Sequence, residues 1–427
     1  MNYEQAIDYI EQTDTPRQRY GLEKLKQALH LMGDPQEKVP YVHIAGTNGK
    51  GSTASMLSSV LNHAGLRCGL YTSPHLQRYN ERFQIAGEPI SDEQLIQSVQ
   101  RVQQVCEQRG GTPIVFEVLT LMAFELFARL DCQIAVLEVG IGGRLDATNC
   151  IPSPQAAVVT QLGLDHTETL GDTIEQIAWQ KGGIAKPGSC LVMAAQQEEA
   201  MEVVRQICRQ EDCAFCVADP KRMQLLSSTL KGQRVLDEHF GELLIPLAGE
   251  HQLKNAANVL CAVEQLVQHG WKIPVEAVRE GLAATKWPAR FELLDKSPYF
   301  ILDGGHNPQC VQAAMDALEQ FFPGKKAVIL TGMMQDKDTE KMLEQMAEHA
   351  ACFVCLHPDS PRALSAEQLA QQVTKRFGLP AFCCESIAQG VALAREKAGW
   401  CVRWGLCILP LRCVRSLNGN STKISKM

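Results

Sequence analysis

The sequence predicts an α/β protein with two domains, each built on a mainly parallel sheet. Three observations carry this. Short apolar runs alternate with longer amphipathic stretches, as in strand–helix repeats. The runs are apolar almost throughout, which suits strands covered on both faces. A segment rich in Trp, Pro and Arg, "AATKWPARFELLDKSP" (283–298), interrupts the alternation and reads as a hinge. The expected domains are therefore residues 1–286 and 287–427.

In chain order, the candidate strands are "YVHIAG" (41–46), "RCGLYTS" (67–73), "IAVLEVG" (134–140), "AAVVTQLG" (156–163) and "CLVMAA" (190–195). "FILDGG" (300–305), "AVILTG" (327–332) and "CFVCLH" (352–357) follow in the second half. Between the first two lies "STASMLSSVLNHAG", a helical pattern that Gly65 stops. "FEVLTLMAFELFARL" (116–130) is apolar nearly all round, so a buried helix is expected.

Composition narrows the functional classes. The 427 residues are 45% hydrophobic and 21% charged, as in a soluble globular protein. A net charge of -7 offers no basic patch, so nucleic acid is not an expected partner. The opening "MNYEQAIDYIEQ" lacks the pattern of a signal peptide, and no apolar run is long enough to span a bilayer. A cytoplasmic location is expected, and a reducing one suits the 17 cysteines as small buried hydrophobes. Of two CxxC pairs, Cys213/Cys216 and Cys352/Cys355, neither has a second pair at zinc-site spacing. "CFVCLH" as a strand would also point its two cysteines to opposite faces.

"HIAGTNGKGSTASML" (43–57) runs from a strand through a glycine turn into a helix expected to begin near Ser52. Backbone N–H groups of such a turn, with the helix dipole, make an anion site. Gly49, Lys50, Gly51 and Ser52 are the candidate nucleotide contacts, Lys50 reaching the β/γ-phosphates and Ser52 or Thr53 approaching Mg²⁺. The common phosphate loop has four residues between its glycines, whereas Gly46 and Gly49 have two.

This shortened loop resembles that of the Mur ligase superfamily, and "GTNGKGS" is similar to its bacterial folylpolyglutamate synthase/dihydrofolate synthase branch. "TSPHL" (72–76), "NERFQI" (80–85), "FEVLT" (116–120), "LEVGIGGRLDATN" (137–149), "LDH" (164–166), "KGGIAKPG" (181–188), "GEHQLKNAANVL" (249–260), "WPARFE" (287–292) and "DGGHNP" (303–308) resemble that family's motifs in its order. The resemblance implies a larger P-loop-type N-terminal domain for ATP, Mg²⁺ and folate, and a smaller Rossmann-like C-terminal ligase domain. "KGGI", "DGGHN" and "ARFE" stand where "KAGI", "DGAHN" and "GRFE" are commoner.

On the residues alone, Ser73 and Glu138 end two apolar strands, where open α/β sheets bind ligands. Glu138 there is equally a capping or ion-paired residue, and His166 a structural histidine. The resemblance makes Ser73, Glu138 and His166 ligands of Mg²⁺. It implies that Lys181 is carbamylated by CO₂ and helps hold a second Mg²⁺, which needs a neutral amine. It assigns Arg290 to ATP phosphates and Asp303 to the nucleotide, with His306 beside them and Asn255 at the adenine. Arg suits phosphate through its two parallel donors. For a pterin ring the matching positions are Tyr20, Gly21, Leu22, Glu23, Phe116, Glu117, Leu145, Asp146 and Ala147.

The activity implied is an ATP-dependent ligase adding L-glutamate to folate or dihydropteroate through an acyl phosphate, with Lys50, Lys181 and His166 catalytic and the protein a monomer. Another Mur-type amino-acid ligase, or an ATP-binding switch without catalysis, are the alternatives. After about Ala398 the resemblance stops at "GWCVRWGLCILPLRCVRSLNGNSTKISKM". Codons for Trp400 to Pro410 read two bases later would restore a "GSLY"-like ending, so a frameshift is one reading. As written, the tail is expected to deprive the C-terminal sheet of a proper last strand.

Overall fold

A computed structural model describes residues 1–13, 22–110, 113–400 and 404–408. Its large sheet contains β1 (Tyr41–Ala45), β2 (Cys68–Tyr71), β3 (Phe83–Ile85), β4 (Glu88–Pro89), β5 (Ile134–Glu138), β6 (Ala156–Val159), β7 (Cys190–Ala194) and β8 (Ala214–Ala218). They lie in the order β4-β3-β2-β5-β1-β6-β7-β8. β2, β5, β1, β6, β7 and β8 run parallel, and β3 and β4 add an antiparallel edge. Every residue of β1, β5, β6 and β7 is buried, which is why their sequences are continuously apolar.

From β1 the chain goes to β2, beyond β5 on one side, and later to β6 on the other. The carboxyl end of β1 is therefore the switch point of the sheet, where an open crevice forms. The helix Lys50–His63 leaves this point, starting at Lys50, slightly before the expected Ser52. It is buried along most of its length, and Ser59 Oγ donates to Gly281 O of the neighbouring helix at 2.6 Å. The apolar helix Val115–Arg129 is buried as its sequence requires, and of its two buried carboxylates, Glu117 and Glu125, the second is held by Arg129 and Arg101.

β9 (Met223–Thr229), β10 (Gly232–Asp237) and β11 (Gly241–Ile245) form an antiparallel sheet that a search for continuous apolar runs misses. β10 alternates buried Val235 with exposed Arg234 and Leu236, the period-two signature of a strand wet on one face.

The second sheet holds β12 (Glu292–Lys296), β13 (Tyr299–Asp303), β14 (Ala327–Thr331), β15 (Ala350–Leu356), β16 (Ala381–Cys384) and β17 (Trp404–Ile408), in the order β12-β13-β17-β14-β15-β16. All are parallel except β12, which forms a hairpin with β13. The expectation of a missing last strand is corrected here. "WGLCI" pairs with β13 on one side and β14 on the other. An empty slot at that place would leave the inner edges of both neighbours with unpaired N–H and C=O groups. Gly399 and Trp400 end the helix Ile387–Trp400, and the remaining atypical residues lie outside the described ones. On β15, Cys352 packs with Val354 and Leu356, and Cys355 with Phe353 on the other face, so the two thiols do not form a ligand pair.

Candidate active site

Three glycines of the phosphate loop are enforced by what they touch. Gly46 has φ +150°, and a Cβ there would lie 1.8 Å from Thr160 Oγ1 at the end of β6. Gly49 has φ +86°, and its Cβ would fall 2.1 Å from Asn255 Oδ1. At Gly51 the obstacle is the Trp287 ring, 2.6 Å away. The backbone is fixed from β6: Thr47 N and Asn48 N donate to Gln161 O at 3.0 and 3.1 Å, and Thr160 Oγ1 donates to Asn48 O at 2.7 Å. Side chains from elsewhere in the fold therefore pack directly against the loop backbone.

Two ammonium groups converge on it. Lys50 Nζ donates to Gly46 O at 3.0 Å and to Thr47 O at 3.1 Å. Lys181, only 4% exposed, donates from Nζ to the same Gly46 O at 2.9 Å. Both side chains thus meet at one backbone carbonyl at the head of the loop, where a cationic Lys50 would favour an anion. Ser52, buried in the first helical turn, completes the predicted loop contacts.

Glu138 ends β5 with 4% exposure, and its Oε2 accepts from Ser73 N at 3.0 Å. Burial raises its pKa, while Lys50, the Ser73 N–H, Arg290 and Arg82 oppose that rise. His166 sits at φ +53° before a short helix. Desolvation lowers its pKa, assisted by Lys337, Lys181 and Lys50 and opposed by Asp165. This favours the neutral imidazole that a metal ligand requires. Among the described residues no group of three or more His, Cys, Asp or Glu forms a ready-made metal cage. The predicted set contains only two such side chains, Glu138 and His166, and suits Mg²⁺, which keeps water and phosphate as most of its shell.

From the second sheet, Asp303 ends β13 and fixes the backbone on both sides of it. Its Oδ2 accepts from Phe291 N at 2.8 Å and its Oδ1 from Gly305 N at 2.7 Å. This holds the turn that carries Arg290, whose Nη1 donates to Ala289 O at 2.9 Å. His306 Nδ1 is 3.2 Å from Gly304 O, and desolvation of the ring with the Lys337 charge lowers its pKa, though the residue keeps an exposed face. Asn255 bonds Gln252 Oε1 at 2.9 Å and lies against Gly49.

The loop after β5 approaches the same sheet edge. Asp146 Oδ2 accepts from Ile141 N at 3.0 Å, and its Oδ1 from Thr148 N at 3.0 Å and Thr148 Oγ1 at 2.6 Å. Thr148 Oγ1 lies 2.8 Å from Nε2 of the fully buried His43 of β1. Phe116 packs on Gly140, where a Cβ would meet it at 2.3 Å, and stands 6.1 Å from Tyr71. Ala147 is buried, whereas Leu145 is 48% exposed. Glu117 serves its own helix, accepting from Ile114 N at 3.4 Å. Glu23 opens the helix Glu23–Leu31, with Leu22 as its cap, and pairs with Lys26; no described bond ties either residue to the loop. Tyr20 and Gly21 lie outside the described residues.

Residues 44–263 match the Mur ligase middle domain, and residues 289–400 the Mur ligase glutamate ligase domain. Folylpolyglutamate synthase of Lacticaseibacillus casei is 34% identical, the match covering 85% of this chain and 87% of that one. The chain belongs to the folylpolyglutamate synthase/dihydrofolate synthase family of Mur ligases. Dihydrofolate synthase/folylpolyglutamate synthase of Bacillus subtilis is also 34% identical, over 82% of this chain and 84% of its own. A solved Mycobacterium tuberculosis folylpolyglutamate synthase complexed with ADP superposes with a TM-score of 0.88 at 30% identity, covering 98% of this chain and 97% of that one. Escherichia coli FolC in complex with DHPP and ADP gives a TM-score of 0.85 at 27% identity, covering 100% and 99%.

In this member of the family, sequence reasoning passed over two cations. Arg82 contributes to the field at Glu138, and its Nε donates to His75 Nδ1 at 2.7 Å. Lys337 pairs with Asp165 at 2.6 Å beside His166 and His306. Arg82 stood within "NERFQI", a motif without an evident chemical signature. Lys337 lies in "MMQDKD", where a lysine among acids reads as solvated surface.

Proposed function

We propose that the chain is an ATP-dependent ligase that joins L-glutamate to the carboxylate of a folate and, as a second substrate, of dihydropteroate. The observation that carries this reading is the convergence of Lys50 and Lys181 on Gly46 O, next to buried Glu138 and facing the Arg290–Asp303 hinge. One substrate carboxylate oxygen attacks the γ-phosphorus and ADP leaves, forming an acyl phosphate. The glutamate amine then attacks the acyl carbon, inorganic phosphate departs, and the amine proton passes to solvent. Lys50 steadies charge on the transferring group, and Arg290 clamps the phosphates from the other domain. Glu138, Ser73 and His166 would hold Mg²⁺, and Lys181, as its carbamate, a second ion; bound there, these ions neutralise phosphoryl charge.

On this reading residues 1–286 bind ATP and the pteridine substrate, residues 287–427 bind glutamate and cap the nucleotide, and the protein acts as a cytoplasmic monomer. Asn255 lies beside the adenine, while Leu22, Glu23, Phe116, Leu145, Asp146 and Ala147 border the pteridine. The test is ADP release and amide formation with dihydropteroate and with a reduced folate, each with and without L-glutamate. Glutamate-dependent ADP release is expected with at least one; its absence with both, in folded protein, overturns the reading.

A further inference from the structure

The middle residue of the phosphate loop faces away from the nucleotide role that its neighbours serve. The three described side-chain bonds of Asn48 all go to the start of the helix Pro308–Phe321 in the second domain. Its Nδ2 donates to Gln309 Oε1 at 2.8 Å, while its Oδ1 accepts from Asn307 Nδ2 at 2.9 Å and from the Cys310 thiol at 3.0 Å.

Asn307 is the hub of this seam. Its Oδ1 caps the helix by accepting from Cys310 N at 2.9 Å, and its Nδ2 also reaches Asp165 Oδ2 at 3.3 Å. Asp165 in turn accepts from Lys337 Nζ at 2.6 Å. Gln309 returns to the first domain, donating from Nε2 to Leu162 O at 3.2 Å. It lies so close to Gly163 that a Cβ there would meet Gln309 Oε1 at 1.9 Å. Gly163 is bonded to the loop itself, its N and O both engaging Thr47 Oγ1.

The backbone of Asn48 is rigidly held by Gln161 and Thr160, so its side chain cannot follow the second domain without moving the loop. We infer that Asn48 and Asn307 are a positioning pair that couples the phosphate loop to closure of the C-terminal domain, keeping water from the acyl phosphate. This rests on the ligase reading for its consequence, though not for its geometry. Closure of this kind commits an activated intermediate to its second substrate.

The decisive variant is Asn307→Asp. It keeps the oxygen that caps the helix but replaces the crossing donor with a carboxylate facing Asp165 and Asn48 Oδ1. Two readouts are taken: ADP released per amide formed, and hydrogen exchange of residues 46–49 and 305–310 in the ADP-saturated protein. The expected result is a ratio rising from one to two or more, at least tenfold faster exchange in both segments, and ADP affinity within about threefold of the parent. A ratio of one with unchanged exchange overturns the inference. So does a fall in turnover that merely tracks lost ADP affinity. If circular dichroism shows Asn307→Asp unfolded, Gln309→Leu, which leaves both asparagines intact, must show the same pattern. Should the parent form no amide at all, the ligase reading fails, while the exchange measurement with ADP still decides the seam.

Discussion

Two loops meet at the switch point of the large sheet and are held by opposite means. The phosphate loop is shaped by missing side chains: Gly46, Gly49 and Gly51 let Thr160, Asn255 and Trp287 approach its backbone. The loop after β5 is shaped by side chains that are present. Asp146, Thr148 and His43 form a bonded chain beneath it. Asn149 ties it to Arg144 O and Gly183 O, and Lys186 holds the Asn149 and Ile151 carbonyls. On the proposed function, a loop that binds phosphate through backbone N–H groups must keep those groups bare, whereas one that borders the pteridine can be braced from below. The first should therefore break on addition of one carbon, the second on removal of one polar atom.

The largest effect is expected from Gly49→Ala. A positive φ and the 2.1 Å approach to Asn255 together should cost about 2–5 kcal/mol and lower ADP affinity at least tenfold. Urea unfolding and calorimetric titration with ADP check both. An unchanged affinity would mean that the loop is not the phosphate site.

Next comes Thr148→Val, which is nearly isosteric but leaves His43 Nε2 and an Asp146 oxygen short of a partner. A loss of about 1–3 kcal/mol is expected. KM for the pteridine substrate should rise with ADP affinity unchanged, separating the two loops in one variant.

His43 supplies a pH test of the brace. Burial, with the Lys186 charge, lowers its pKa to about 3 from an unfolded value of 6.5. The unfolded chain thus takes up this proton first, and stability present above pH 6.5 is lost as the pH falls toward 3. Between pH 7 and pH 5, the parent should lose more stability in urea than His43→Gln. Parallel losses would remove His43 from the account.

The smallest effect is expected at Leu145, 48% exposed at the loop surface. Leu145→Ala should change stability by less than about 0.5 kcal/mol while raising KM for the pteridine. A change in neither would take Leu145 out of the substrate surface.

Where the candidate residues lie was legible to the extent that their placement follows local order in the chain. A strand, a glycine turn with one lysine and a helix start are consecutive in the chain, so Lys50 was readable there. Glu138 and Asp303 stood out because a carboxylate ending an apolar strand is costly unless it has a task. His43 was not legible, since a histidine inside an apolar strand looks like any satisfied core residue. Arg82 and Lys337 were missed because charged residues in polar segments have the same pattern whether they face solvent or a site. β9 to β11 escaped because their alternation is short, and β17 because its segment departs from the family pattern.

By itself, the sequence determined the α/β alternation, the order of the motifs and the chemistry available at each strand end, because these depend on neighbours in the chain. Only the tertiary structure decided which distant side chain fills the space each glycine leaves. It also decided that Lys181 shares a carbonyl with Lys50, and that Asn48 reaches across to Asn307. Packing and hydrogen bonding act through space, and a chain position carries no record of what folds against it.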